Sequence, residues 1–417
     1  MLSMNNVTLS SSPSGARAAA SIIWLGVTPH RCLFAVGAGN LCLSMLWWAA
    51  WLIDMRWGVL GLPSAPLYAG WVHALVLPYL VLAPFIFGFL FTVFPRWMPV
   101  PGYTRWHYLP TAGSLLLAQV LLLSAQFTGP LGVHLGLLIG LAGWSNGLVL
   151  LIDRLRQDPT RCWHARSIVL AVALGWLGMV LACLHQFDSD FVWINAAMKL
   201  GVHGLLLPIY LTVAHRMFPF FAQCVHRDYQ PWRPVGLLAA IWLLLLAHLG
   251  LELAGAQRWL WLSDLPAMGL GVWVAWRWWP PSGSPFILRA LFIGLLWWPL
   301  GAALYSVQSL LLWFDLTALG RAPLHAYTIG LFGALLVAMV SRVSKGHSGR
   351  ALEMNAVDRC AFVAIQWVAL MRIGAELGLD FWAWNAIAAL GWTVVLLPWL
   401  LQCLWIWSTP RVDGKPG

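Results

Sequence analysis

Long apolar stretches alternate with short polar breaks along nearly the whole chain. Apolar windows fall at 31–53, 66–94, 108–126, 130–152, 166–187, 191–214, 234–252, 258–279, 286–311, 323–341, 357–377 and 381–406. A bilayer's hydrocarbon core is crossed by about 20 helical residues. The pattern therefore predicts an all-α polytopic membrane protein with about twelve transmembrane helices. Proline and glycine mark many of the turns, as in "GLPSAP", "MPVPG" and "PPSGSP". The expected organisation is a polar N-terminal cytoplasmic segment over 1–30, one twelve-helix domain over 31–406 and a cytoplasmic tail over 407–417.

Composition agrees with the pattern. The chain is 61% hydrophobic and 9% charged, where a soluble protein carries about 25% charged residues. A net charge of +10 would suggest nucleic acid in a soluble chain. Here the charges sit in short loops and report topology instead, so no nucleic-acid partner is expected. With twelve spans, nineteen Lys and Arg fall on the side that holds both termini, and only Arg56, Arg258 and Arg321 on the other. Lys199 and Arg372 lie inside spans. The rich side is expected to be cytoplasmic, with both termini there. The 30 Trp suit membrane interfaces and the walls of flat aromatic cofactors. Seven scattered Cys without a CxxC pair predict neither a disulfide framework nor a zinc site. Residues 1–20 lack an apolar core, so no cleavable signal peptide is expected.

The chemistry available inside the spans is that of histidine. Helix 2 contains "VHALVLPYL" (72–80) and helix 6 "VHGLLLPIYL" (202–211). Helix 10 offers "LHAYTIGLFG" from Leu324. The three helices are four apart and run the same way, which suggests three pseudo-repeated four-helix units. His73 and His325 lie toward the outer face, and His203 is deeper. A lone membrane histidine is more often a hydrogen-bond partner between helices than a ligand, but three at repeated positions shift that balance. Neutral imidazole binds heme iron and copper. His134, His185 and His248 lie near outer helix ends, where solvent contact is the default. His30, His107, His164, His215 and His226 read as interface residues at the cytoplasmic edge, His215 being notable for its place in a repeated exit motif. His347 follows helix 10 in a basic loop, about 33 Å from His325 along a straight helix, so the two cannot share a metal.

Embedded charges are few. Arg372 and Glu376 are spaced to pair along helix 11. Lys199 lies one turn before His203 and would oppose a cation there unless deprotonated or snorkelling. Apart from Asp358 at the inner edge of 357–377, no Asp or Glu lies in the inner half of any predicted span, which argues against a proton pump. No HExxH, GxSxG or Walker pattern is present.

The stretch "HAYTIGLFGALLVAMVSRVSKGHSGR" (325–350) resembles the NnrS family, which carries H-A-x-T-x-G-x-x-G and then T/S-R-V-x-x-G-H-T/S-G-R. "GFLFTVFPRW" (88–97) and "HRMFPFF" (215–221) are similar to two further family motifs. The resemblance implies a heme- and copper-containing bacterial cytoplasmic-membrane protein linked to nitric oxide metabolism and nitrosative-stress defence. If catalytic, it would be a membrane oxidoreductase, with a gas ligand such as nitric oxide and an electron-transfer or respiratory partner subunit. The departure is in helix 2, where Leu75 and Val76 stand in place of the family's second histidine and glutamate. One metal ligand, or one whole site, is therefore missing or moved. Similarity to heme–copper oxidase and nitric oxide reductase catalytic subunits is at fold level only, because their paired histidines on helices 7 and 10 are absent. His73 and His325 sit at similar outer depth on helices that a threefold repeat would bring around one centre, so a heme b between them with Arg372 at a propionate is expected, and the deeper His203 suits copper or a second cofactor. His248 and His347 are weaker metal candidates. The competing expectation is a twelve-helix secondary transporter of a metal or small anion, with Pro78 and Pro208 breaking helices near a midplane site.

Overall fold

The computed structural model describes residues 21–376, Gly378 and 380–414. Residues 1–20 of the expected N-terminal segment and the last three residues of the tail lie outside it. The chain folds into α1 (Pro29–Trp57), α2 (Ala69–Trp97), α3 (Arg105–Leu123), α4 (Pro130–Arg156), α5 (Trp163–Asp188), α6 (Phe191–Val225), α7 (Val235–Leu253), α8 (Trp261–Trp278), α9 (Phe286–Trp313), α10 (Ala322–His347), α11 (Ala356–Gly374) and α12 (Phe381–Trp407). Among the described residues there is no strand. All but α8 and α11 are long and apolar enough to cross a membrane, which gives ten candidate spans rather than the twelve expected. The shortfall has a local cause. Helix α8 carries Asp264 and Arg277 among its tryptophans, and α11 carries Asp358, Arg359 and Arg372.

Helices α2, α6 and α10 form the centre, with 89, 78 and 72% of their apolar windows buried. The others pack around them in a recurring order. Helix α1 lies against α12, α5 against α4, and α9 against α8. The same three helices, α1, α5 and α9, cover α2, α6 and α10. Both described ends meet at one end of the bundle, where Ser21 N–H donates to the Ser408 carbonyl at 2.8 Å. There Arg31 also donates to the Trp407 and Thr409 carbonyls at 3.2 and 2.8 Å.

Each central helix contains a wide π-helical turn: Leu77–Leu82 in α2, Leu200–Leu206 in α6 and Ala326–Gly333 in α10. Pro78 and Pro208 lack the N–H that would bond four residues back, and the ring crowds that carbonyl. The helix answers by widening, not by breaking. Helix α10 has no proline at this place, and here packing is the constraint. A Cβ on Gly330 would come within 2.3 Å of the Trp297 ring, and one on Gly301 within 2.3 Å of Tyr327. Two glycines thus let the Trp297 and Tyr327 rings seat directly on the facing backbone between α9 and α10.

Candidate functional site

The three wide turns contribute to the wall of one cavity of about 620 Å³, a volume in the usual range for a cofactor site. His73, His203 and His325 all line it, one from each central helix, and Arg372 joins them from α11. Four of the residues singled out in the sequence are therefore brought together. The wall is otherwise aromatic and aliphatic, with Trp48, Trp51, Trp71, Trp382 and Trp392 around it. His73 stacks on Trp48 at 4.2 Å between ring centroids, and Trp48 stacks on Trp51 at 4.9 Å. His325 Nδ1 lies 2.9 Å from the Arg321 carbonyl one turn back. A carbonyl only accepts, so Nδ1 carries the hydrogen and Nε2 keeps its lone pair.

Charges at the cavity are arranged in pairs. Arg372 Nη1 lies 2.7 Å from Glu376 Oε1, as their spacing predicted, and Arg321 lines the same wall. Lys199 finds a partner the sequence did not reveal: its ammonium is 2.8 Å from Glu252 Oε2 on α7. The pair is neutral, so Lys199 does not set a bare positive charge beside His203.

Behind the cavity wall, His203 meets His248 of α7, their ring centroids 4.1 Å apart. His248 is buried, not solvated as its position near a helix end suggested. Its Nδ1 is 2.9 Å from both carboxylate oxygens of Asp264. The Tyr305 hydroxyl is 3.4 Å from His203 Nε2. Among the described residues, no group of three or more His, Cys, Asp or Glu is arranged to hold a metal ion.

His347 stands apart from this cavity, at the basic end. It is still within α10, which continues through Arg342 and Lys345 where the sequence had suggested a loop. The buried Lys345 ammonium explains the extension, because it bonds the buried Asp358 carboxylate and the Glu353 carbonyl. The rest of the motif closes the same end. Trp399 and Trp407 donate to Ser341 and Ser344, each at 2.8 Å. Arg342 lies over the Phe221 ring at 3.9 Å and Arg216 over Trp97 at 4.5 Å, which ties the three motif-bearing helices together. Gly349 adopts φ +73° against the Asp413 carboxylate.

Three histidines read as interface residues are buried here instead. His30 faces His347, ring centroids 4.5 Å apart. His164 Nε2 is 2.8 Å from His215 Nδ1, and His215 Nε2 is 3.1 Å from the Pro234 carbonyl. The carbonyl again fixes the order: His215 donates to it, and His164 donates to His215. His185, expected near solvent, is buried with Nδ1 on the Asp190 carbonyl at 2.8 Å.

Asp264, Tyr305 and Tyr327 were not singled out from the sequence. Asp264 did carry a signal, as an acidic residue in the first turn of a mostly apolar helix. The tyrosines carried none. No curated protein matches the chain. The family model described as NnrS protein matches residues 25–411, a span that takes in every helix from α1 to α12, and the chain belongs to the NnrS family.

Proposed function

We propose that this chain is a heme b protein of the bacterial cytoplasmic membrane that binds or processes nitric oxide or a related small oxidant, or passes electrons for such chemistry. Nitric oxide comes from the family's link to the nitric oxide response; the heme rests on the cavity. The observation that carries it is His325. Its Nδ1 is tied to the Arg321 carbonyl, so Nε2 is the free nitrogen of a side chain that lines a cofactor-sized cavity. That is the tautomer a heme-ligating histidine needs. His73 lines the cavity from another central helix and, among the described residues, makes no hydrogen bond that would occupy its ring nitrogens. Arg321 and Arg372 are cations at the wall to receive propionates, and the indole rings suit a flat macrocycle. When bound, the heme supplies the redox and gas-binding chemistry; the chain's own residues hold, orient and shield it. Copper, the second metal the family resemblance implies, belongs to His203 in this reading. A respiratory partner would exchange the electrons.

The same reading keeps α8 and α11 as spans. Their charges are buried against neighbours: Asp264 on His248, Asp358 on Lys345 and Arg372 on Glu376. Twelve spans and three four-helix units fit the recurring contacts around α2, α6 and α10, and the Lys and Arg split along the chain supports cytoplasmic termini. The transporter reading draws on the three wide turns, where helical hydrogen bonding shifts to the wider π register at the cavity.

The absorbance spectrum of the purified protein separates the two. A Soret band with low-spin bis-histidine character is expected, lost in His73→Ala and in His325→Ala and kept in His203→Ala. A colourless protein after expression with ample heme would overturn the heme and favour transport. Either outer-histidine variant with an unchanged spectrum would move the axial ligand elsewhere.

A further inference from the structure

A second, smaller cavity of about 70 Å³ lies between α2, α6 and α10, toward the basic end. Each central helix lines it just past its wide turn. Phe85 stands three residues beyond Leu82, Ile209 three beyond Leu206 and Leu335 two beyond Gly333. The three positions correspond, so the cavity lies where the central helices face one another. Protein interiors leave few voids larger than a water molecule, because an unfilled gap forfeits packing on every side. Larger side chains were to hand in a chain with 30 Trp. Several of them wall the cofactor cavity, but among the described residues none lines this one. An unfilled space among the three most buried helices calls for an occupant.

Size and polarity narrow the choice. The cavity has about a ninth of the volume of the cofactor cavity, and organic ligands occupy sites of roughly 300–1,000 Å³. Of the described residues that line it, Tyr210 alone carries a side-chain oxygen or nitrogen. The backbone around it is helical, so its polar groups are already paired. An ion would be stranded there. A water needs about two to four polar partners and would find at most one. Apolar cavities of this kind stay dry and take apolar guests such as xenon. What fits is a small neutral gas.

The site adjoins the cofactor cavity. Phe332 lines the large cavity and Tyr210 the small one, and their rings meet with centroids 4.7 Å apart. The two cavities thus share a wall at this pair of rings. On the opposite side, Val343 lines the small cavity, and its neighbour Arg342 lies over the Phe221 ring. That contact sets a charged layer between the cavity and the basic end.

We propose that the space between α2, α6 and α10 is a docking site for one neutral diatomic gas molecule, nitric oxide, and that the Tyr210 and Phe332 rings are the partition through which it exchanges with the cofactor cavity. The inference rests on the proposed reading for the identity of the gas and for the heme it serves. The site itself rests on the shape and polarity of the cavity.

The test has two arms on the full-length protein. Crystals are pressurised with xenon, which is located by its anomalous scattering. In detergent, nitric oxide is flashed off the ferrous heme and its rebinding is followed at the Soret band. Wild type is expected to hold xenon between α2, α6 and α10. It should also show a rebinding phase whose rate does not depend on nitric oxide concentration, from gas that waits in the site. Xenon at its dissociation constant should cut the amplitude of that phase to about half, by competition for one site. Val213→Phe and Val340→Phe fill the space, and each should lose the xenon and the phase with the Soret band unchanged. Tyr210→Ala opens the partition and should make the phase at least about threefold faster, as removal of a gate does; Tyr210→Phe keeps the ring and should match wild type. No xenon in the space, ordered water or a lipid chain there, or a phase that survives both filling variants overturns the inference and leaves the heme reading standing. Xenon bound at this place in a protein that takes up no heme would fault the heme reading alone. Xenon competition in wild type decides the matter even where a filled variant fails to fold.

Discussion

Lys345→Met would put the structural role of the basic motif to the test. In the native chain the Lys345 ammonium bonds the Asp358 carboxylate, which is wholly buried. Removing one partner of a buried ion pair costs about 3–5 kcal/mol, because the other charge is left without compensation. Asp358 would keep three donors: Gln402 Nε2 at 2.8 Å, Asn355 N–H at 3.1 Å and the Ser341 hydroxyl at 3.4 Å. Hydrogen bonds to a charged group contribute about 1.5–3 kcal/mol each when well formed, so the loss should sit at the lower end, about 3 kcal/mol. At 1.4 kcal/mol per factor of ten, that is about a hundredfold in the folded-to-unfolded ratio. Asp358→Asn in the same background should recover part of it, since a neutral amide replaces the stranded charge. The assay is reversible unfolding in mixed micelles, titrated with a denaturing detergent and followed by tryptophan fluorescence, with heme absorbance read on the folded fraction. A Lys345→Met protein within about 0.5 kcal/mol of wild type, the usual range for surface changes, would refute the clasp. So would loss of heme from a protein that remains folded, because the motif would then be part of the site.

His347→Ala should leave heme content unchanged, since the cavity lining includes His325 and not His347; heme loss from the folded variant would place the site at the basic end. A reporter fused after Gly417 should behave as cytoplasmic and reporters near Ser189 and Arg321 as external, and any one on the wrong side breaks the twelve-span topology. Asp380, ahead of α12, is held below the usual carboxylate range by the Ala383 N–H and then by Arg56, whose Nε is 2.7 Å away. A depressed carboxyl stabilises above its unfolded value and loses that contribution as pH falls through the folded one. Asp380→Asn should therefore melt slightly below wild type at neutral pH, and the gap should close below about pH 4. A gap that widens on acidification would contradict this assignment.

Much of the fold is local and was legible in the sequence. A run of apolar residues long enough to cross a bilayer specifies a helix regardless of its neighbours. The window at 130–152 lies inside Pro130–Arg156, and those at 258–279 and 357–377 fall on α8 and α11, although charge takes both below the apolarity of a span. His73, His203 and His325 were legible because a repeated motif surrounds two of them and the family motif the third. The tertiary structure decided who meets whom. Most of these helices are apolar on every side, so periodicity does not say which face a neighbour will cover. The partner of Lys199 is 53 residues away, and the Asp264 carboxylate reaches His248 across a turn of 16. His30 and His347 come together only because α1 starts, and α10 ends, at the same end of the bundle. The Arg342–His347 stretch reads as a loop by its charge and is helical because Asp358 and the Glu353 carbonyl receive Lys345. Burial inside a bundle makes each polar group depend on the one opposite, and only the packing of helices distant in the chain sets that opposite group.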